Sequence, residues 1–385
     1  MNWIQMKLGE ACTVKRGTTI TQKDAVSGDV PVVAGGLKPT YYHNKANRFN
    51  STITISGSGA SAGFVNLWKQ PIFASDCSTV ETKDSNIDIN YVYYFLLSNQ
   101  DFIYKNLRSG AAQPHVYGKD IAEIMISIPP LSTQLKIVNR IDAIFNEVDK
   151  ALLGAHRNCK NSESLFQSYL NEKLETNEDG WITQTFDEIV VDKQVGLVKN
   201  SKEQVDDGEY SYFKMNNITN DNRCNLASLV KVNASNEEVI KYKLIKNDFL
   251  FNTRNSVELV GKVCIFDGES NDNILYNNNI MRVRFLPSIN PYFILYAFSN
   301  KEIRKSIEKL KTGATNVAAI YYKDLKDLKI QIPSLEIQNK TVREIETLGF
   351  YTNVLFTKSQ NKISNYHSLK HSILKQAFSG ELIEE

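Results

Sequence analysis

The chain has 385 residues, a formal net charge of +2, 42% hydrophobic and 23% charged residues, as expected for a soluble globular protein with room for two domains. Its longest apolar runs span only seven residues, which excludes a membrane-spanning helix, and its charge is far too small for a non-specific nucleic-acid coat. The five cysteines form no C-x-x-C pair, and no secretory signal opens the sequence. We therefore expect reduced thiols and a cytoplasmic location.

The first 130 residues predict a mixed domain of short strands and short helices. The stretch "WIQMKLGEACTV" begins at Trp3, and residues 51–65, "STITISGSGASAGFV", contain β-type runs separated by turn residues. Residues 89–102 form a short apolar segment that favours a helix. A glycine loop follows at residues 107–116, "LRSGAAQPHV".

The next segment predicts one long helix. Beyond Pro130, apolar or small residues recur in alternating steps of three and four from Val138 to Tyr169, the heptad seam of a coiled coil. Ser132 is the predicted N-cap, and the helix should run to about Glu175. At about 1.5 Å per residue its length would be roughly 65 Å. Such a helix cannot bury its seam alone, so a partner helix is expected.

The second half of the chain repeats the first. "WITQTFDEIVVD" begins at Trp181, and later segments again predict strands, an apolar helix and a glycine loop. The connector at residues 119–138, which contains "ISIPPLSTQLKIV", matches residues 323–342, which contain "IQIPSLEIQNKTV", at nine of twenty positions with an offset of 204. This offset is the size of a domain. The repeat therefore indicates two copies of one domain-plus-connector unit.

These elements predict a mixed α/β (α+β) fold with two modules, each followed by a long α-helix, and the two helices pairing as an antiparallel coiled coil. The predicted segments are residues 1–130, 131–180, 181–333 and 334–385. The residues predicted to pair the helices are Val138, Ile141, Phe145, Val148, Leu152, Phe166, Val342, Ile345, Phe356, Ile363 and Tyr366.

Three features occur together in this chain: Trp-x(4)-Leu-Gly-Glu at the start, a Gly-Ala loop in each half, and a duplicated Ile-Pro-x-Leu-x-x-Gln before each long helix. In these features the chain resembles the specificity (S) subunit of type I restriction–modification systems. The resemblance implies that residues 1–130 and 181–333 are target recognition domains, each for one half of a split DNA sequence. It implies that spacer helices in residues 131–180 and 334–385 hold two methyltransferase subunits, with restriction subunits optional. S-adenosylmethionine would then bind to the partners, and this chain would need no cofactor, metal or catalytic residue.

Candidate DNA contacts follow from chemistry, because Arg and Lys pair with guanine, Asn and Gln with adenine, and basic or hydroxyl groups with phosphate. In the first module the candidates are Lys38, Tyr41, Tyr42, His43, Asn44, Lys45, Arg48, Ser58, Arg108, Gln113 and His115. In the second they are Lys214, Asn216, Asn217, Arg254, Asn255, Asn278, Lys311, Thr315 and Asn316.

Two other classes of function stay open at this point. The first is a methyltransferase or nuclease with its own active site, suggested by "NPYF" at Asn290 and by Asp76 ahead of Glu81 and Lys83. "NPYF" lacks the second proline of an amino-methyltransferase motif, so it favours a helix start, and such acidic pairs are common by chance. The second class is a coiled-coil scaffold without DNA readout.

Two further motifs favour structural roles. "GSGASAG" at residues 57–63 lacks the Lys-Ser/Thr of a phosphate loop, and predicts a turn close to its own sheet or to DNA. His367 and His371 have the spacing of a ligand pair on a helix, but no third ligand is evident in the sequence.

Overall fold

The computed structural model describes residues 3–110, 112–175, 180–269, 272–314 and 317–382. The chain divides into two compact units. Unit 1 comprises Met1–Arg157 and Ser359–Glu385, and unit 2 comprises Asn158–Lys358. Each unit contains one α/β module and one part of each long helix. The boundary between the compact units therefore falls within the long helices, whereas the four segments predicted from the sequence separate modules from helices.

Unit 1 contains nine strands and four short helices in its described residues, followed by the start of the first long helix. The strands are β1 Ile4–Lys7, β2 Cys12–Arg16, β3 Val30–Val33, β4 Tyr41–His43, β5 Thr52–Ser56, β6 Val65–Trp68, β7 Phe73–Ala74, β8 Cys77–Thr82 and β9 Met125–Ile128. The helices are α1 Leu8–Ala11, α2 Ile89–Ser98, α3 Gln100–Phe102, α4 Gly118–Ala122 and the long α5 Leu131–Leu174, with a π-helical turn at Ile103–Leu107.

Three sheets organise this module. The order is β2-β8-β5-β6 in an antiparallel sheet and β4-β3-β7 in a smaller sheet with one parallel pair, while β1 and β9 form a two-stranded ribbon. The core lies between the larger sheet and α2, where Ile53, Val80, Tyr91 and Leu96 are fully buried. Consecutive β-branched residues, four in β5 and two in β8, favour the extended conformation of these central strands.

Unit 2 repeats this architecture with longer connections. Its strands are β10 Ile182–Thr185, β11 Val190–Val195, β12 Tyr210–Phe213, β13 Val230–Val232, β14 Phe249–Asn252, β15 Arg254–Asn255, β16 Val263–Ile265, β17 Ile274–Tyr276, β18 Ile280–Phe285, β19 Thr312–Ala314, β20 Val317–Ala319 and β21 Lys329–Ile332. Its helices are α6 Phe186–Ile189, α7 Asn236–Tyr242, α8 Pro291–Ser299, α9 Lys301–Lys309, α10 Tyr322–Leu325 and the long α11 Leu335–Ser379, with a 3-10 turn at Met215–Asn217.

The sheet orders of the two modules are equivalent. The three sheets of unit 1 recur in unit 2 as the larger sheet β11-β18-β14-β16, the smaller sheet β13-β12-β17 and the ribbon β10-β21. The smaller sheet again contains one parallel pair. The described part of unit 2 adds α7 and the sheet β15-β20-β19. The repeat that was predicted from the sequence is therefore a repeat of the whole module.

The long helices pair in antiparallel fashion, as predicted. Within unit 1, the side chain of Lys370, near the end of α11, forms a 2.5 Å ion pair with Asp149 of α5 and lies 4.7 Å from the ring centroid of Phe145. Within unit 2, Lys173, near the end of α5, forms a 2.8 Å ion pair with Glu344, near the start of α11. In each unit the beginning of one helix therefore lies beside the end of the other.

Most of the predicted seam is buried. Six of the eleven predicted residues are at most 8% exposed, namely Val138, Ile141, Val148, Leu152, Val342 and Ile345. The other five are half-buried, namely Phe145, Phe166, Phe356, Ile363 and Tyr366. The prediction of Ser132 as the N-cap is wrong, because α5 begins at Leu131. The preceding Pro130 supplies a carbonyl that accepts from Thr133 and Gln134. Proline suits the start of a helix, where the backbone N–H has no helical partner.

A buried glutamine joins each long helix to its module. The Gln134 side chain accepts from the Asp88 N–H (2.9 Å) and donates to the carbonyls of Asn86 (3.0 Å) and Pro129 (2.8 Å). The residue 204 positions later, Gln338, makes the equivalent bonds to Asn290, Ser288 and Pro333, at 2.8, 3.1 and 2.9 Å.

Both glutamines are 0% exposed. Asp88 and Asn290 are the N-cap residues of α2 and α8, so each glutamine ties a helix start of the module to the entry of a long helix. We call this set of three bonds the glutamine clamp.

No described helix is both long enough and apolar enough to span a membrane.

Replacing Gln338 by alanine should destabilise unit 2, because one backbone N–H and two carbonyls would lose their partner, and the Pro333 carbonyl among them is buried. The expected loss is about 2–4 kcal/mol of unfolding free energy. Chemical denaturation of the full chain measures it, and Gln360→Ala, at an exposed position of the same helix, is the matched control. Equal stability of the two variants would contradict the role of the clamp.

Candidate nucleic-acid interface

Three loops meet at one edge of the first module. They are the loop after β3 (residues 34–40), the loop after β5 (residues 57–64) and the glycine hairpin (residues 107–116). A Cβ at Gly35 would lie 2.7 Å from the carbonyl oxygen of Ser58, so the first two loops touch. Ser58 in turn forms a β-bridge with His115. The three loops therefore form one continuous surface, which we call the three-loop surface.

Glycines permit the close approaches within this surface. Gly59, Gly63 and Gly110 have φ values of 78°, 86° and 93°, which L side chains rarely adopt. At Gly63 a Cβ would also lie 2.9 Å from the Ile103 side chain. The Gly63 N–H donates to the carbonyl of Ser56 at 2.7 Å. The predicted turn at residues 57–63 is thus confirmed, and it packs on its own sheet.

The same three loops meet in the second module. They are the loop after β12 (residues 214–229), the loop after β14 (residues 253–262) and the hairpin at residues 310–320. Asn255 pairs with Ala318 across β15 and β20, and the Lys262 Nζ donates to the Ile218 carbonyl at 2.5 Å. Burial lowers the pKa of Lys262 from its ordinary value. The predicted residues Thr315 and Asn316 lie outside the described residues.

One basic side chain in each hairpin anchors the loops to each other. The Arg108 guanidinium donates to the carbonyl of Ala62 (2.7 Å) and lies 4.1 Å from the ring centroid of Tyr104. Lys311 has the equivalent position and donates to the Val257 carbonyl at 2.7 Å. Burial, partly offset by the guanidinium, raises the pKa of Tyr104. Arg108 and Lys311 therefore hold the loops in place, a role the sequence did not distinguish from DNA contact.

Other candidates of the first module also have internal partners. His43 is 7% exposed, with its Nδ1 3.0 Å from the Val26 nitrogen and its ring edge-on to Phe73. Arg48 donates to the Thr79 hydroxyl (3.0 Å) and to the Asn47 carbonyl (2.8 Å).

The hydroxyl of Tyr41 donates to the Ile20 carbonyl at 2.6 Å, and Ser58 bonds to Asp76. His115 is half-buried beside Tyr117. The exposed candidates are Lys38, Tyr42, Asn44, Lys45 and Gln113.

In the second module, Asn217 is 2% exposed and its amide donates to the carbonyls of Asn225 and Ser228. The Lys214 Nζ donates to the Gln204 side chain at 3.0 Å. Asn255 donates to the buried Asn252 at 3.0 Å.

Asn278 is half-buried, while Asn216 and Arg254 are exposed. Burial argues against His43 and Asn217 as base contacts, because a base edge has little access to side chains that are at most 7% exposed.

Two exposed tyrosines were missed by the sequence analysis. Tyr117 and Tyr321 occupy equivalent positions at the end of each hairpin and are 47% and 44% exposed. Lys119 lies 5.9 Å from the ring centroid of Tyr117, and Lys323 lies 5.8 Å from that of Tyr321. Arg254 reaches the Tyr321 hydroxyl at 3.4 Å. The 204-residue offset that pairs Lys119 with Lys323 would have found both tyrosines.

Residues of the motifs considered for catalysis form hydrogen bonds within their own modules. Asn290 of "NPYF" caps α8, with its side chain accepting from the Tyr292 N–H at 2.8 Å, which confirms the predicted helix start. Glu81 accepts from Thr52 at 3.0 Å, and Lys83 donates to the Gly9 carbonyl at 2.5 Å.

His371 Nε2 lies 3.8 Å from an Asp101 carboxylate oxygen, and His367 is exposed. Within the described ranges, no group of three or more His, Cys, Asp or Glu residues has the geometry of a metal site.

Curated relatives include the type I restriction enzyme EcoKI specificity subunit of Escherichia coli (strain K12), 24% identical over 302 residues that cover 73% of this chain and 63% of the relative. Another is the putative type I restriction enzyme MjaX specificity subunit of Methanocaldococcus jannaschii, 28% identical over 228 residues that cover 57% and 52%. The matches thus span between half and two thirds of these relatives' own length.

Solved structures share the fold. A chain from a structure titled as the basis of complex assembly and conformational transition of the type I R-M system matches with a TM-score of 0.76, at 17% identity over 98% of both chains. The HsdS subunit from Thermoanaerobacter tengcongensis matches with a TM-score of 0.54, at 18% identity over 98% of this chain and 97% of that one. The family model described as "Type I restriction modification DNA specificity domain" matches residues 1–153 and 178–365. With most of its length matched by that model, the chain belongs to the family of type I restriction–modification DNA specificity proteins.

Proposed function

We propose that this chain is the DNA-specificity subunit of a type I restriction–modification complex and reads a bipartite DNA sequence. The observation that supports this most is the division within each module. The strand order of three sheets and the glutamine clamp are the same in both copies, whereas the three loops differ in length and side chains. Diverged loops on a common scaffold are the expected design for two recognition domains with different targets.

The proposed domains are residues 1–130 and 181–333 as target recognition domains, and residues 131–180 and 334–385 as spacer helices. Two methyltransferase subunits would bind the chain, with restriction subunits optional, and S-adenosylmethionine would be bound by the methyltransferases. The chain itself would act in the cytoplasm beside the DNA and carry no catalytic residue.

The three loops of each module have the chemistry for reading base edges. Lys38 and Gln113 are exposed on the loops of the first module, and Asn216 and Arg254 on those of the second. Lys or Arg suits guanine, while Asn or Gln suits adenine. The rival function, catalysis by this chain, is disfavoured because Asn290 and Glu81 have structural partners. The other rival, a scaffold without DNA readout, does not explain why the loops differ while the scaffold is kept.

The repeated pairs Tyr117–Lys119 and Tyr321–Lys323 suit the phosphate backbone. A base-reading residue should differ between modules that read different bases, whereas a phosphate contact carries no sequence information and can be the same in both. These pairs are the same in both modules and border the diverged loops. We assign them to sequence-independent contact with phosphates.

Exchanging residues 1–130 for the corresponding module of another family member tests the proposal as a whole. Mapping methylated adenines in cells that contain the chimaera and its methyltransferase partner should show one half of the target sequence changed and the other half unchanged. The purified chain without a partner should transfer no methyl group. A change in both halves, or methyl transfer by the chain alone, would contradict the proposal.

Arg254→Ala should weaken DNA binding by about 1–3 kcal/mol and relax one half of the target only. The reason is that Arg254 lies on a loop of a single module. Arg304→Ala, at an exposed position of α9 outside the three loops, is the matched control and should leave both affinity and target unchanged. The measurement is DNA binding by the assembled complex with each base pair varied in turn.

Lys323→Ala should weaken binding to all sequences by a similar factor and reduce the slope of log affinity against log salt by about 1, as expected for a lost phosphate contact. Lys326→Ala, three residues further on and also exposed, is the control for the loss of a charge. If Lys323→Ala changed the preferred bases instead, the assignment to phosphate would be wrong.

A further inference from the structure

Two thiols of unit 2 are in direct contact. The Cys224 Sγ, in the loop after β12, lies 3.0 Å from the Cys264 Sγ on β16, although the residues are 40 positions apart in the chain. All five cysteines are free. A disulfide has an S–S distance of about 2.05 Å, so the two sulfur atoms need to approach by only about 1 Å.

The two thiols differ in accessibility. Cys264 is fully buried, and burial raises the pKa of its thiol well above the ordinary value. Cys224 is half-buried and lines an open cleft of about 770 Å³, whose wall also includes Phe166, Tyr292 and Tyr296. A small oxidant that enters the cleft therefore reaches Cys224 first.

We propose that Cys224 and Cys264 form an oxidation site, at which a hydroperoxide converts the two thiols into an intramolecular disulfide. In the first step the Cys224 sulfur takes one oxygen from the peroxide, the O–O bond breaks, and the peroxide leaves as an alcohol, or as water from hydrogen peroxide. In the second step the Cys264 sulfur attacks the sulfenic sulfur of Cys224, the S–O bond breaks, and the hydroxyl leaves as water with the thiol proton. The two thiols lose two electrons in total, and the peroxide gains them.

The other three cysteines lack this arrangement. Cys12 and Cys77 are 0% and 2% exposed, so an oxidant in solution has little access to either thiol. The Cys77 Sγ faces the Val33 carbonyl at 3.6 Å, and the Cys159 Sγ faces that of Phe356 at 3.9 Å. Oxidation should therefore be selective for the pair.

The disulfide would fix the loop after β12 to an edge strand of the larger sheet. That loop is already held by the Lys262 bond to Ile218 and by the Asn217 amide, so a covalent link there constrains it without a large displacement. The inference concerns thiol chemistry alone and holds whether or not the chain reads DNA.

The test is to treat the purified, reduced full chain with hydrogen peroxide under native conditions, quench it with a thiol-blocking reagent and digest it with trypsin. The expected product is a cross-linked pair of peptides, residues 224–231 and 263–282, with two of the five thiols lost. The mass of the intact protein should fall by about 2 Da, as expected for a disulfide, instead of rising by about 16 or 32 Da for the sulfenic or sulfinic acid.

Variants separate the two roles. Cys264→Ser should leave Cys224 without a resolving thiol, so that residue 224 advances to the sulfinic acid, and Cys264→Ala provides the same test if the serine variant does not fold. Cys224→Ser should protect Cys264, and Cys77→Ala is the control that should still form the cross-link. Five thiols remaining after treatment, a sulfinic acid on Cys224 in the unaltered chain, or a cross-link to any other cysteine would overturn the proposal.

Discussion

The glutamine clamp is the interaction on which the rest of the structure depends. Gln134 and Gln338 each bond three backbone groups that belong to the N-terminal region of a module helix and to the entry of a long helix. A fully buried amide with all of these bonds in place fixes direction as well as position, because leaving any partner unpaired would cost free energy. Each long helix is therefore tied to its module through the same three backbone contacts in both copies.

This constraint explains how one scaffold can support different loops. The strand ribbons β1-β9 and β10-β21 and the two clamps contain no residue of the three loops. The cores around Tyr91 and Phe293 do include loop residues, such as Ala62 in the first module and Val260 in the second. Each module has its own anchor for these loops, Arg108 in the first and Lys311 in the second, and the two perform the same task through different donors. The lengths of the loops and their exposed side chains can then differ between the two modules, while the buried loop residues keep the core intact.

The same packing that holds the loops also brings two thiols of unit 2 into contact. Cys224 and Cys264 touch because the loop after β12 covers the edge of β16, where Cys224 also faces the Ile265 carbonyl at 3.2 Å. Edge strands are commonly covered in this way, since their unpaired backbone groups would otherwise be exposed. The thiol contact is thus a consequence of how the second module covers its sheet.

The sequence by itself determined the duplication, the fold class and the seam of the long helices, because nine identities at one offset and a regular three–four spacing are one-dimensional patterns. It misplaced the first helix start at Ser132, since a proline carbonyl can begin a helix as well as a capping side chain can. Its candidate DNA contacts include Arg254 and Lys38, which are exposed in the structure. The sequence could not separate these exposed candidates from Arg108, Lys311, His43 and Asn217, whose side chains bond within their own module or are buried. Only the tertiary structure decided that difference, because a basic or amide side chain has the same chemistry whether it faces solvent or a carbonyl of a neighbouring loop. Whether such a side chain faces solvent or a neighbouring carbonyl depends on how distant segments pack, and no local sequence pattern records that packing.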